Sequence, residues 1–206
     1  MDQRENLPEE SGEFPEPLTP GDLTTKNLFG MSVLSLLLYT AVALLLVYFF
    51  HNGTFADLFR RGYSLPIQLI IGLASGLAAA GIILFLSVHS PIKEVLNDFA
   101  IFRVIAQADF STFDKVQVSL FAGVGEEILF RGALQPIVGI WFASAFFIAI
   151  HGYFKFKTAG HVLFGVMMFA LSMMLGVLFE TTGLISAMTA HAVYDMVMLK
   201  NVDKLK

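Results

Sequence analysis

Long apolar runs separated by short polar links set the pattern of this chain. Residues 28–50, LFGMSVLSLLLYTAVALLLVYFF, carry no charge. They exceed the ~20 residues that cross a bilayer as a helix. Residues 65–88, LPIQLIIGLASGLAAAGIILFLSV, predict a second span. Its Gly72, Gly76 and the small residues 78–81 suit close helix packing. Residues 116–139 predict a third span, 140–154 a short fourth, 161–180 a fifth and 184–199 a short sixth. Short spans imply shielding by neighbouring helices or a locally thinned bilayer.

Between the second and third spans the periodicity changes. Ile92, Val95, Leu96, Phe99, Phe102 and Ala106 recur at helical spacing, with Lys93, Glu94, Asn97 and Asp98 largely off that stripe. The pattern predicts an amphipathic helix on the membrane surface. The predicted fold is therefore all-α: a polytopic membrane helical bundle of about six transmembrane helices plus one interfacial helix. Residues 1–27 are acidic and Pro-rich, without the basic start of a secretory signal. They are expected to form a disordered cytoplasmic tail, leaving 28–206 as the membrane-embedded domain.

Composition agrees. Apolar residues make up 56% of the 206 and charged residues 15%, against about 45–50% and 25% in soluble domains. Mean hydropathy is +0.71. The absence of cysteine excludes disulfides, thiol catalysis and thiolate-held metal. With the amino terminus inside and six spans, ten Lys and Arg fall on the cytoplasmic side and only Arg60 and Arg61 opposite. The positive-inside bias puts both termini in the cytoplasm. The expected location is the plasma (cytoplasmic) membrane, with lipid and a membrane-associated peptide or protein as partners and no nucleic acid. Oligomeric state is left open.

One stretch breaks the apolar pattern. GVGEEILFRG, residues 123–132, puts Glu126, Glu127 and Arg131 inside the third span. A charge at a helix centre costs about 2.5–3.5 kcal/mol on insertion scales, so such groups face the bundle interior, pair, and mark function. Glu127 and Arg131 are one helical turn apart and should neutralise each other. Glu126 points about 100° away. It is left as the free carboxylate, the profile of a general base. Gly123 and Gly125 leave room beside it, and Pro136 is expected to kink the span beyond the charges. His151 closes FFIAI, and His191 sits in AMTAHAVYD with Asp195 one turn on. At 1.5 Å per residue, Glu126 lies about 12–16 Å into its span, His191 about 13 Å from Lys200 and His151 about 6 Å from Lys155. All three then fall in the cytoplasmic half and fit one cavity. Phe147 reads as packing beside His151. His51, His89 and His161 fall at span edges, the place of interfacial rather than catalytic groups.

These residues resemble a known family. EEILFR (Glu126, Glu127, Arg131) resembles the EExxxR motif of the CPBP intramembrane proteases, the Abi family or type II CAAX prenyl endopeptidases. FIAIH (Phe147, His151) and HAVYD (His191, Asp195) resemble its FxxxH and HxxxN/D motifs, in order and each on its own span. The resemblance covers about residues 64–200. It implies a membrane-embedded endopeptidase in which Glu126 activates water, His151 and His191 position it or stabilise the oxyanion, and Glu127 orients Arg131. The family often has Asn where this chain has Asp195. An ionised Asp only accepts hydrogen bonds. Asp195 is then expected either protonated or orienting His191 through a ring N–H. The resemblance leans toward a mechanism without a metal cofactor. Zinc stays open, because His151, His191 and Glu126 or Asp195 are ligand types of catalytic zinc sites. A proton-coupled transporter, or an inactive immunity or binding protein on the same scaffold, are the alternatives.

Overall fold

The computed structural model describes residues 24–99 and 110–202. Those residues form a polytopic helical bundle, with no strand among them. Helix α1 spans Thr25–Phe50, α2 Leu65–His89, α3 Thr112–Glu127, α4 Gln135–Ile150, α5 Ala159–Thr181 and α6 Leu184–Lys200. A π-helical turn, Ile128–Leu134, joins α3 to α4. The expected tail boundary at 27 moves back, because Thr24 caps α1 and its side chain accepts from Asn27 N. Residues 1–23 lie outside the described residues.

Helix α1 is the peripheral element. Leu34, Leu37, Leu38, Leu45 and Phe49 are all more than half exposed. In water that surface would be costly, whereas against lipid it costs nothing. Four segments are long and apolar enough to cross a membrane: Thr25–Phe50, Leu65–His89, the continuous run Thr112–Ile150, and Ala159–Thr181. The expected sixth span, α6, has 17 residues, about 25 Å at 1.5 Å each, less than a ~30 Å hydrocarbon core. It lies in the middle of the bundle, with nine buried residues.

The 39-residue run does not continue straight. Residues 126 and 151 would stand about 37 Å apart along one helix, yet their side chains approach to 3.8 Å. The chain reverses at Gly139, whose φ of 81° and ψ of 160° break α4. That is the 139/140 boundary expected between two spans. Pro136 is not where the chain turns; the break comes three residues later, at Gly139. Positive φ at Gly139 is strained for any residue with a Cβ.

The predicted interfacial helix is also corrected. Its described part is a short 3-10 helix, Lys93–Asp98, and its apolar stripe is not laid on lipid. Ile92, Leu96 and Phe99 are at most 1% exposed and join the core with Phe164 and Ile148. Polar ties hold the segment down: His161 Nε2 lies 3.0 Å from Asp98 Oδ2, and Lys155 Nζ donates to the Asp98 carbonyl. His161 is therefore at a helix end, as expected, but buried rather than interfacial. Phe102, Arg103 and Ala106 lie outside the described residues.

Small residues let α6 take the central place. A Cβ on Gly72 would stand 2.6 Å from the Ser186 carbonyl, and one on Gly76 2.6 Å from that of Ala190. On the other side, a Cβ on Gly123 of α3 would meet Ala192 N at 2.8 Å. Gly81 has nothing within 4 Å of the same position. Gly76→Ala is accordingly expected to lower stability by about 1–3 kcal/mol through overpacking. Gly81→Ala is expected to leave it unchanged or slightly higher. Denaturation of the two variants in detergent, side by side, checks this; equal stability would contradict the packing described.

Candidate active site

The site is built around a buried cation. Arg131 is completely buried, and its guanidinium is satisfied from three elements. Nε donates to Glu127 Oε2 at 3.1 Å, Nη1 to Ser144 Oγ at 3.2 Å and Nη2 to Ser172 Oγ at 2.7 Å. The Phe147 ring lies 5.5 Å from Arg131 Cζ, completing the enclosure. The Glu127–Arg131 pair expected from the sequence is present. Ser144 and Ser172 were not foreseen, and their signal was faint: single serines in apolar spans.

Glu127 does a second thing. Its other oxygen, Oε1, lies 2.9 Å from His191 Nδ1. A carboxylate tied to arginine accepts, so His191 Nδ1 must carry the proton and donate. That turns His191 Nε2 outward, 3.5 Å from Asp195 Oδ2 and 3.8 Å from Glu126 Oε2. Glu127 takes the Nδ1–H, and Asp195 faces the other ring nitrogen, Nε2. Asp195 sits on the opposite, cavity-facing edge of the ring.

His151 reaches the same point from α4. Its Nδ1 lies 2.7 Å from the Phe147 carbonyl, which can only accept. Nδ1 therefore donates, and Nε2 faces Glu126 Oε2 at 3.8 Å. Phe147 fixes both imidazoles: its ring lies 4.5 Å from that of His151, tilted by 32°, and 5.9 Å from that of His191, nearly edge-on. Among the described residues, no protein donor hydrogen-bonds the buried Glu126 Oε2. Two atoms 3.8 Å apart can both lie ~2.8 Å from a third. Each imidazole can thus share one small polar atom with the carboxylate.

These groups line one cavity of about 300 Å³, with apolar walls from Val118, Ala122, Met168, Met198 and Val202. It runs toward the start of α3 and the end of α6. That end of the bundle carries the segments predicted to be cytoplasmic.

The imidazoles and carboxylates of the site are ligand types that hold zinc. Metal–ligand bonds near 2.0–2.1 Å in tetrahedral geometry hold neighbouring ligand atoms roughly 3.4 Å apart. Both Nε2–Oε2 separations are 3.8 Å. Among the described residues, no three His, Asp or Glu side chains are grouped to hold a metal ion. The separation from His191 Nε2 to Asp195 Oδ2, 3.5 Å, is close to that tetrahedral spacing.

Residues 107–197 match the family model for the type II CAAX prenyl endopeptidase Rce1-like proteins. The match includes Glu126, Glu127, Arg131, His151, His191 and Asp195 and leaves out α1 and α2. Over 81 residues the chain is 41% identical to the uncharacterized protein YpbD of Bacillus subtilis (strain 168). That alignment covers 39% of this chain and 41% of that protein. No solved structure matches the chain.

Removing the guanidinium tests the buried network. Arg131→Met leaves Glu127 as an unpaired buried charge and is expected to cost about 3–5 kcal/mol. The double variant Arg131→Met/Glu127→Gln, which removes both charges, is expected to recover part of that loss. Unfolding curves in detergent measure both. A double variant less stable than the single would contradict the pairing.

Proposed function

We propose that this chain is an Rce1-like intramembrane endopeptidase. It hydrolyses a peptide bond of a membrane-associated substrate: a prenylated C-terminus, a peptide precursor or a membrane anchor. The observation that carries the reading is the approach of Glu126 Oε2 to within 3.8 Å of both imidazole Nε2 atoms inside one buried cavity. A carboxylate without a protein donor, beside two oriented imidazoles, is equipped to take a proton from water.

In this reading Glu126 is the general base. A water bridging Glu126 and His151 donates one hydrogen to the carboxylate and the other to the neutral His151 Nε2. As Glu126 takes its proton, the oxygen attacks the scissile carbonyl carbon. In this scheme His191 is doubly protonated, and its Nε2 donates to the resulting oxyanion. Such a donor is worth several kcal/mol on the developing charge. Glu126 then returns its proton to the leaving nitrogen and the C–N bond breaks; the acid and amine products pass a proton between them and leave as carboxylate and ammonium. Glu127 does not react; with Arg131 it fixes the ring of His191. The apolar wall excludes bulk water, which strengthens each of these contacts.

No metal takes part in this scheme. The domain works in the plasma membrane with both termini cytoplasmic, and the cavity admits substrate from that side. The Lys and Arg bias supports this orientation.

The test is cleavage by purified full-length protein in proteoliposomes, against a library of prenylated and unprenylated membrane peptides. Glu126→Gln keeps the shape but loses the base. Cleavage is expected to fall by at least ~10²–10⁴-fold, with unfolding unchanged. Chelators are expected to leave the wild-type rate alone. Full activity of Glu126→Gln would overturn the glutamate mechanism, and chelator-sensitive activity restored by zinc would overturn its metal-free form.

A further inference from the structure

Beyond Glu126 and the two histidines, the cavity has one more side chain suited to act on substrate. Tyr153 lies in the connection between α4 and α5, two residues after His151. The way the helix ends puts it there. Gly152 N donates to the Ala149 carbonyl at 3.0 Å and Tyr153 N to the Ile148 carbonyl at 3.1 Å. With Gly152 at φ +70°, this is a Schellman end, in which a glycine in the left-handed region turns the chain back over its last turn. Tyr153 is folded onto His151, ring centroids 5.5 Å apart and planes within 24°. Phe99 and Phe164 clamp the ring edge-on at 6.0 and 5.3 Å.

Tyr153 also belongs to the reactive cavity, which it lines together with Glu126, His151, His191 and Asp195. Burial first, then the charges of Asp195 and Glu126, push the phenol well above its ordinary range. It therefore stays protonated, a donor. The other polar groups of the cavity are differently committed. Glu126 and an ionised Asp195 only accept. His151 spends its Nδ1 proton on the Phe147 carbonyl. Ser172 takes the Arg131 guanidinium, and the Tyr194 hydroxyl points at Met168 Sδ, 4.0 Å away. The Tyr153 hydroxyl has no hydrogen-bond partner among the described residues.

We propose that Tyr153 is a further catalytic residue, its hydroxyl donating to the scissile carbonyl oxygen as that oxygen becomes an oxyanion, alongside His191. The inference rests on the endopeptidase reading. No bond to Tyr153 forms or breaks; its proton is shared with the oxyanion and kept when the intermediate collapses.

Tyr153→Phe tests it, because the ring and its stacking on His151 stay while the donor is lost. With the peptide from the library that the wild type cleaves fastest, kcat is expected to fall about 10²–10³-fold with KM within about threefold. A phosphinate version of that peptide, which mimics the tetrahedral oxyanion, is expected to lose affinity for the variant by a comparable factor. The uncleaved peptide is expected to bind Glu126→Gln and Glu126→Gln/Tyr153→Phe equally. A purely structural role would instead lower the unfolding midpoint or raise KM, with phosphinate and substrate affinities falling together; that outcome overturns the proposal. An unchanged kcat also overturns it while the endopeptidase reading stands. No cleavage of any library peptide by the wild type would remove both.

Discussion

A guanidinium with no exposure to solvent or lipid is the constraint around which the bundle is arranged. Arg131 can be buried only if its donors are met, and they are met by groups from three places in the chain: Glu127, Ser144 and Ser172. Those contacts tie the end of α3 to α4 and α5 at the depth of the cavity. They also leave Glu127 one free oxygen, and that oxygen orients His191. A single buried ion pair thus fixes helix packing and imidazole orientation together. In a membrane, where apolar burial gives helices little reason to associate, polar contacts and close packing of this kind carry much of the specificity.

The remaining site geometry comes from backbone rather than charge. The chain reverses at Gly139, so α4 brings His151 back beside Glu126 although 25 positions separate them in sequence. Gly72, Gly76 and Gly123 let α6 come close to α2 and α3, which puts His191 and Asp195 opposite the same carboxylate. The short α6 is held as an interior element between longer neighbours.

Much of this was legible in the sequence because charges are rare in apolar runs. Glu126, Glu127, Arg131, His151 and His191 stood out for that reason, and i,i+4 spacing was enough to pair Glu127 with Arg131. The reversal between the third and fourth spans fell at the expected 139/140 boundary. What escaped notice depends on contacts that spacing does not encode. Ser144 and Ser172 are ordinary residues until a guanidinium from another segment reaches them. The Nδ1 partner of His191 lies 64 positions away, so intrahelical spacing pointed to Asp195 instead. The segment after α2 has the periodicity of a surface helix, yet its described apolar residues Ile92, Val95, Leu96 and Phe99 are buried, because amphipathic periodicity fixes a face and not what covers it. Pro136 drew attention as a kink, whereas a glycine three residues later makes the break.

The account stands most directly on water, not a protein nucleophile, attacking the peptide bond under the control of Glu126. A single turnover in water labelled with oxygen-18, followed by mass spectrometry of product and enzyme, reads this out. The label is predicted in the new carboxylate of the cleaved peptide, with none in the peptide fragment that contains Glu126. Label in the Glu126 side chain would mean that the carboxylate itself attacks, and would contradict the account.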